Sequence, residues 1–85
     1  PASHLVALTQ LAVGRSGVVR KVDHAEAGLL HYLEGQGIHM GARVSVVAQV
    51  AWDSTVHIRV EGQPDDIVLG QTAAALISLE EDRPA

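Results

Sequence analysis

The chain has no cysteine, no phenylalanine and few basic side chains, and each shortage closes off an option. Without thiols, its 85 residues can hold neither a disulfide nor a thiolate metal site as a staple. Trp52 and Tyr32 are the only aromatic residues, so a core must be assembled from Val, Leu, Ile and Ala. The Val and Ile share of that palette favours strands. Six cations (Arg15, Arg20, Lys21, Arg43, Arg59 and Arg83) stand against ten carboxylates, a net charge of −4. They are scattered, which leaves no basic stripe of the kind that grips phosphates, and direct nucleic-acid binding is not expected. No apolar run approaches the roughly 20 residues of a membrane span. No basic-then-apolar leader opens the chain either. The expectation is a soluble, cytoplasmic protein. Because the chain starts at Pro1 rather than Met, it is expected to be a piece of something longer.

What is present is 47% hydrophobic and reads as one domain over residues 5–81, with short tails at 1–4 and 82–85. Leu5 to Leu11 is apolar enough for a first strand, closed by the Gly14-Arg15-Ser16-Gly17 turn. Val18 to Val22 reads as a second. The period then changes. Asp23 can cap a helix, with Glu26 in the capping-box position three residues on. Leu29, Leu30 and Leu33 follow at helical spacing, with Ala27 joining the same face. This predicts a short helix over about residues 24–35, stopped by Gly35 or Gly37. Beyond it, Arg43 to Val50 alternates as a strand and Trp52-Asp53-Ser54 reverses the chain. Val56, Ile58 and Val60 then alternate with His57, Arg59 and Glu61. Gly62-Gln63-Pro64-Asp65 is a turn by composition. Asp66 to Leu69 gives a strand, Gln71 to Leu76 a helical turn and Ile77 to Leu79 a last strand. The fold class is mainly β: a small SH3-like barrel of five to six short strands with one short α-helix. A closed barrel would remove exposed edges.

The block Leu29-Leu30-x-Tyr32-Leu33-x-x-x-Gly37-Ile38-x-x-Gly41-x-x-Val44-x-Val46 resembles the centre of the FeoA domain. In that family a short helix leads through a glycine-bracketed turn into a long strand. The flanks agree: Leu8-x-x-Leu11-x-x-Gly14-x-x-Gly17-Val18-Val19 is similar to the family's opening. Val56-x-Ile58-x-Val60 and Leu69-Gly70…Ala73-Ala74-x-Leu76-Ile77 are similar to its close. Gly37 and Gly41 bracket the helix-to-strand corner, where a positive φ is expected. The resemblance implies two settings. In one, a standalone FeoA protein assists ferrous-iron uptake by contacting the cytoplasmic part of the transporter FeoB. In the other, which this reading prefers, the domain is the regulatory C-terminal part of a homodimeric DtxR-type repressor. Its partners would be the upstream DNA-binding and dimerisation domains and a proline-rich linker, and its cofactor Mn²⁺ or Fe²⁺.

No set of residues reads as an enzyme. Ser3, Ser16, Ser45, Ser54 and Ser78 fall in a tail, turns or strand faces, none in a nucleophile-elbow pattern. The histidines His4, His24, His31, His39 and His57 show no pairing that places two imidazoles on one metal. His24 and Glu26, at the start of the helix, are the candidate metal ligands, since N and O donors suit Mn²⁺ or Fe²⁺. The repressor resemblance places one family glutamate at Glu26. The partner glutamine of that pattern falls at Leu29, which cannot ligate. Glu26 alternatively completes a capping box with Asp23. Any metal role belongs to the full-length protein. Trp52 reads as a plug for one barrel end, or with Tyr32 as a groove for the linker.

Overall fold

A computed structural model describes residues 4–23 and 26–83. Six strands form one antiparallel sheet: β1 (Leu5–Ala7), β2 (Ser16–Val22), β3 (Arg43–Val50), β4 (Thr55–Val60), β5 (Ile67–Gly70) and β6 (Ile77–Glu81). Their order across the sheet is β1-β6-β2-β3-β4-β5, so the last strand inserts between the first two. Two short helices interrupt it, α1 (Ala27–Gly35) and α2 (Gln71–Ala74). The mainly β, SH3-like architecture forms as the patterning predicts, with a second helix where Gln71 to Leu76 reads as a helical turn. No ladder joins the edge strands β1 and β5 among the described residues. Instead α2 lies against β4, β5 and a 3₁₀ turn at Leu8–Gln10, with the Gln71 N–H donating to the Ser54 carbonyl at 2.8 Å.

The alternation in β4 is realised directly: Val56, Ile58 and Val60 are buried. They meet Val44 and Val46 of β3 and Ile67 and Leu69 of β5 in one core. A bulge between Val46 and Ala48 shifts the register of β3 against β4. A second lies between Val19 and Lys21, where β2 runs along β6. Such extra residues bend a strand and let a small sheet coil around its core.

Three expectations are corrected. The first strand stops at Ala7, because Leu8 and Leu11 turn inward through the 3₁₀ turn and become fully buried. The helix starts later than residue 24, at Ala27, and runs nine residues. Trp52 plugs nothing: it stands on the turn after β3 with 88% of its surface exposed.

Candidate functional site

The surface around α1 follows from how that helix begins and ends. Asp23 does not cap it. Its backbone N–H donates to the Leu76 carbonyl at 2.8 Å, and its carboxylate faces Lys21 Nζ at 3.2 Å. The sheet has therefore taken the residue that the sequence offers to the helix. Glu26 becomes the N-cap, in extended conformation, and its side chain makes no capping hydrogen bond. The expected capping box is absent. At the other end, Gly37 N–H donates to the Glu34 carbonyl at 3.0 Å and Ile38 N–H to the Leu33 carbonyl at 2.9 Å. These are the two bonds of a Schellman stop, which needs a left-handed residue at its centre. Gly37 supplies it with φ = 84°.

That stop places Ile38 beside Leu33. Gly41, with φ = 87°, then turns the chain so that its N–H reaches the Val19 carbonyl at 2.8 Å. Both glycines of the motif thus do what the spacing predicts. Between α1, the end of β2 and this corner lies a groove of about 450 Å³. Leu33 and Ile38 form its buried floor. Val22, Leu30 and Met40 line it as well, with Leu30 39% and Met40 61% exposed. Glu34 and His39 complete the lining. His39 Nδ1 lies 2.9 Å from the Met40 carbonyl, so that nitrogen carries the proton. Apolar side chains left in water around a concave surface mark a place where something binds.

The charges elsewhere are arranged against one another. Arg15 pairs with Glu81 at 2.9 Å, Arg20 with Glu80 at 3.1 Å and Arg59 with Asp66 at 2.9 Å. Arg43 sits between Asp82 and Glu61. The hydrogen bond from Arg43 to Asp82, and that from Arg59 to Asp66, hold both guanidinium pKa values above their ordinary level. Asp82 N–H also donates to the Ser16 carbonyl at 2.8 Å, continuing the β2–β6 pairing.

Of the candidate metal ligands, His24 lies outside the described residues, and Glu26 is exposed. Among the described residues no three His, Cys, Asp or Glu side chains gather closely enough to hold a metal ion. Glu26 alone offers one carboxylate, too few donors to hold Mn²⁺ or Fe²⁺. Neither Tyr32 nor Trp52 lines the groove. Sequence reasoning missed the groove itself, which takes Leu30 and Met40 from outside the buried set. The available signal was Met40, an apolar residue set in a glycine-flanked turn.

A FeoA domain model matches residues 6–81. No curated protein sequence matches the chain. Among solved structures, a manganese-dependent transcriptional repressor superposes with a TM-score of 0.85 at 22% identity. That match covers 94% of this chain and 43% of the repressor. An iron uptake regulatory protein, FeoA, gives a TM-score of 0.79 at 19% identity, covering 92% of this chain and 99% of its own. A zinc-complexed FeoA from Stenotrophomonas maltophilia gives 0.73 at 23% identity, with 94% and 99% covered. That last protein is described as a prokaryotic SH3 domain protein, with a suggested role in activating ferrous iron transport.

Proposed function

Because this chain belongs to the FeoA domain family, which is non-enzymatic, we propose that it is a protein-interaction module of bacterial iron handling. Its α1 groove docks on a larger partner, the cytoplasmic part of the ferrous-iron transporter FeoB, and thereby assists Fe²⁺ uptake. The groove carries the reading, since Leu30 and Met40 are exposed around a floor already packed into the core. The match takes in nearly the whole of two FeoA chains, which supports the iron-uptake setting. The working unit is the folded body from residue 5 to 81, acting in the cytoplasm. The test is uptake of ⁵⁵Fe²⁺ in a bacterium deleted for its own FeoA. The wild-type chain restores uptake and Met40→Asp does not, while both accumulate equally. Restoration by Met40→Asp would refute the groove.

A second reading is favoured by the closeness of fit to the manganese-dependent repressor. Here the module is the C-terminal domain of a homodimeric DtxR-type protein and contacts the upstream domains or their linker. In that setting Glu26, with His24, lends a ligand to a Mn²⁺ or Fe²⁺ site completed by a neighbouring domain. The carboxylate of Glu26, which makes no capping hydrogen bond, supports the assignment. In the full-length protein, Glu26→Gln then weakens Mn²⁺ binding in calorimetry. An unchanged isotherm retires the site.

A further inference from the structure

The charges around the groove specify what kind of segment fits it. Five of the six cations are engaged: Arg15, Arg20, Lys21, Arg43 and Arg59 each face carboxylates of their own chain. Of the ten carboxylates, Glu26, Glu34, Asp53 and Asp65 have no cation within 4.0 Å among the described residues. Glu34 belongs to the helix that walls the groove, and Glu26 is that helix's N-cap. Glu26, Leu30 and Glu34 follow at intervals of four, so they fall on one stripe of α1 with an exposed leucine between two carboxylates.

Glu34 is also badly placed for its own helix. It lies in the last turn of α1, where the carbonyl ends carry partial negative charge and where cations are favoured. No basic residue occupies that turn. Its carboxylate therefore adds to the field it should offset, at the lip of an apolar groove that it helps to line. A cation arriving there would relieve the repulsion and seat beside Leu30 and Met40.

Resting on the docking role above, we propose that the groove takes a short cationic amphipathic segment of a partner protein. Two or three of its apolar side chains seat on Leu33 and Ile38 between Leu30 and Met40. Flanking Lys or Arg residues meet Glu34 at one end of α1 and Glu26 at the other. The sign of the charge separates this partner from the alternatives. An anionic membrane surface or a nucleic acid would bring phosphates to an acidic lip. A second copy of the chain would bring the same acidic stripe against itself, with a net charge of −4 on each side.

Fluorescence anisotropy with three dye-labelled helical peptides tests it. They share one leucine stripe and differ only in flanks of lysine, serine or glutamate. The lysine-flanked peptide binds at least tenfold tighter than the glutamate-flanked one at low salt, and the ratio shrinks as salt is raised. Glu34→Lys reverses the order, and Met40→Ser weakens all three; circular dichroism verifies that both exposed-site variants stay folded. Equal affinity for the three peptides, lost on Met40→Ser, would overturn the cationic partner while leaving the groove's docking role intact. No Met40-dependent binding by any peptide would overturn both. Met40-dependent binding to phosphatidylglycerol vesicles would likewise contradict the assignment.

Discussion

Leu33→Ala probes the link between the helix and everything the groove depends on. Leu33 is 1% exposed, lines the groove floor, and its carbonyl accepts the Ile38 N–H that ends α1. Truncation removes three carbons, about 2.4 kcal/mol of transfer energy at roughly 0.8 kcal/mol each. A sealed site would add a cavity term that can raise the cost to about 5 kcal/mol. This one opens on the groove, so water or a shifted Met40 fills the space and the cost stays near 2–3 kcal/mol. A domain of this size has about 4–13 kcal/mol in total. At about 4–8 °C per kcal/mol, the melting temperature falls by roughly 10–20 °C. Leu30, already 39% exposed and one helical turn earlier, is the internal control, and its replacement by Ala costs less than about 1 kcal/mol. Urea unfolding followed by far-ultraviolet circular dichroism is the assay, because the exposed Trp52 reports poorly on the core. A Leu33→Ala cost below about 0.5 kcal/mol, or equal costs for the two leucines, would refute the inward face assigned to α1.

Gly17→Ala and Gly37→Ala separate backbone crowding from φ strain in the same unfolding assay. A Cβ at Gly17 meets the backbone oxygen of Glu80 at 2.8 Å, which cannot yield without parting β2 from β6, and about 1–3 kcal/mol is lost. At Gly37 the Cβ meets the movable Gln63 side chain, so the cost is chiefly the left-handed φ, about 1–2 kcal/mol, and Gly37→Asn recovers part of it. Treatment with EDTA leaves the circular dichroism spectrum and melting temperature unchanged, since the core is apolar and no metal cluster staples the described residues; unfolding by the chelator would contradict this. Duplex DNA at low salt shows no submicromolar binding in anisotropy, because the cations are dispersed and engaged by carboxylates.

The elements with a strict period were legible from sequence. β4 alternates because both its neighbours bury one face only, and Gly37 and Gly41 announce a corner that needs positive φ. Failures fell where a tertiary partner outbids a local preference. Asp23 is a better cap than Glu26 by propensity, but a carbonyl 53 positions along, on Leu76, claims its N–H. Leu5 to Leu11 reads as one strand because nothing local marks the point where Leu8 must leave the sheet to fill the core. The groove was harder to see: spacing puts Leu30 on one helical face with Leu29 and Leu33, and only the assembled corner leaves Leu30 and Met40 exposed beside the buried Leu33 and Ile38. Glu26 stood out in the sequence as either a metal ligand or a capping-box residue; its side chain makes no capping hydrogen bond, and the metal role stays a proposal.

The central claim is that Leu30 and Met40 face a protein partner rather than merely water. Amide chemical-shift mapping of ¹⁵N-labelled chain, titrated with the purified cytoplasmic part of FeoB, measures this directly. The docking account predicts perturbations concentrated on Val22, Leu30, Leu33, Glu34, Ile38 and Met40, and their loss with Met40→Asp. Perturbations centred instead on Trp52 and Val68, or none at saturating transporter, would contradict it.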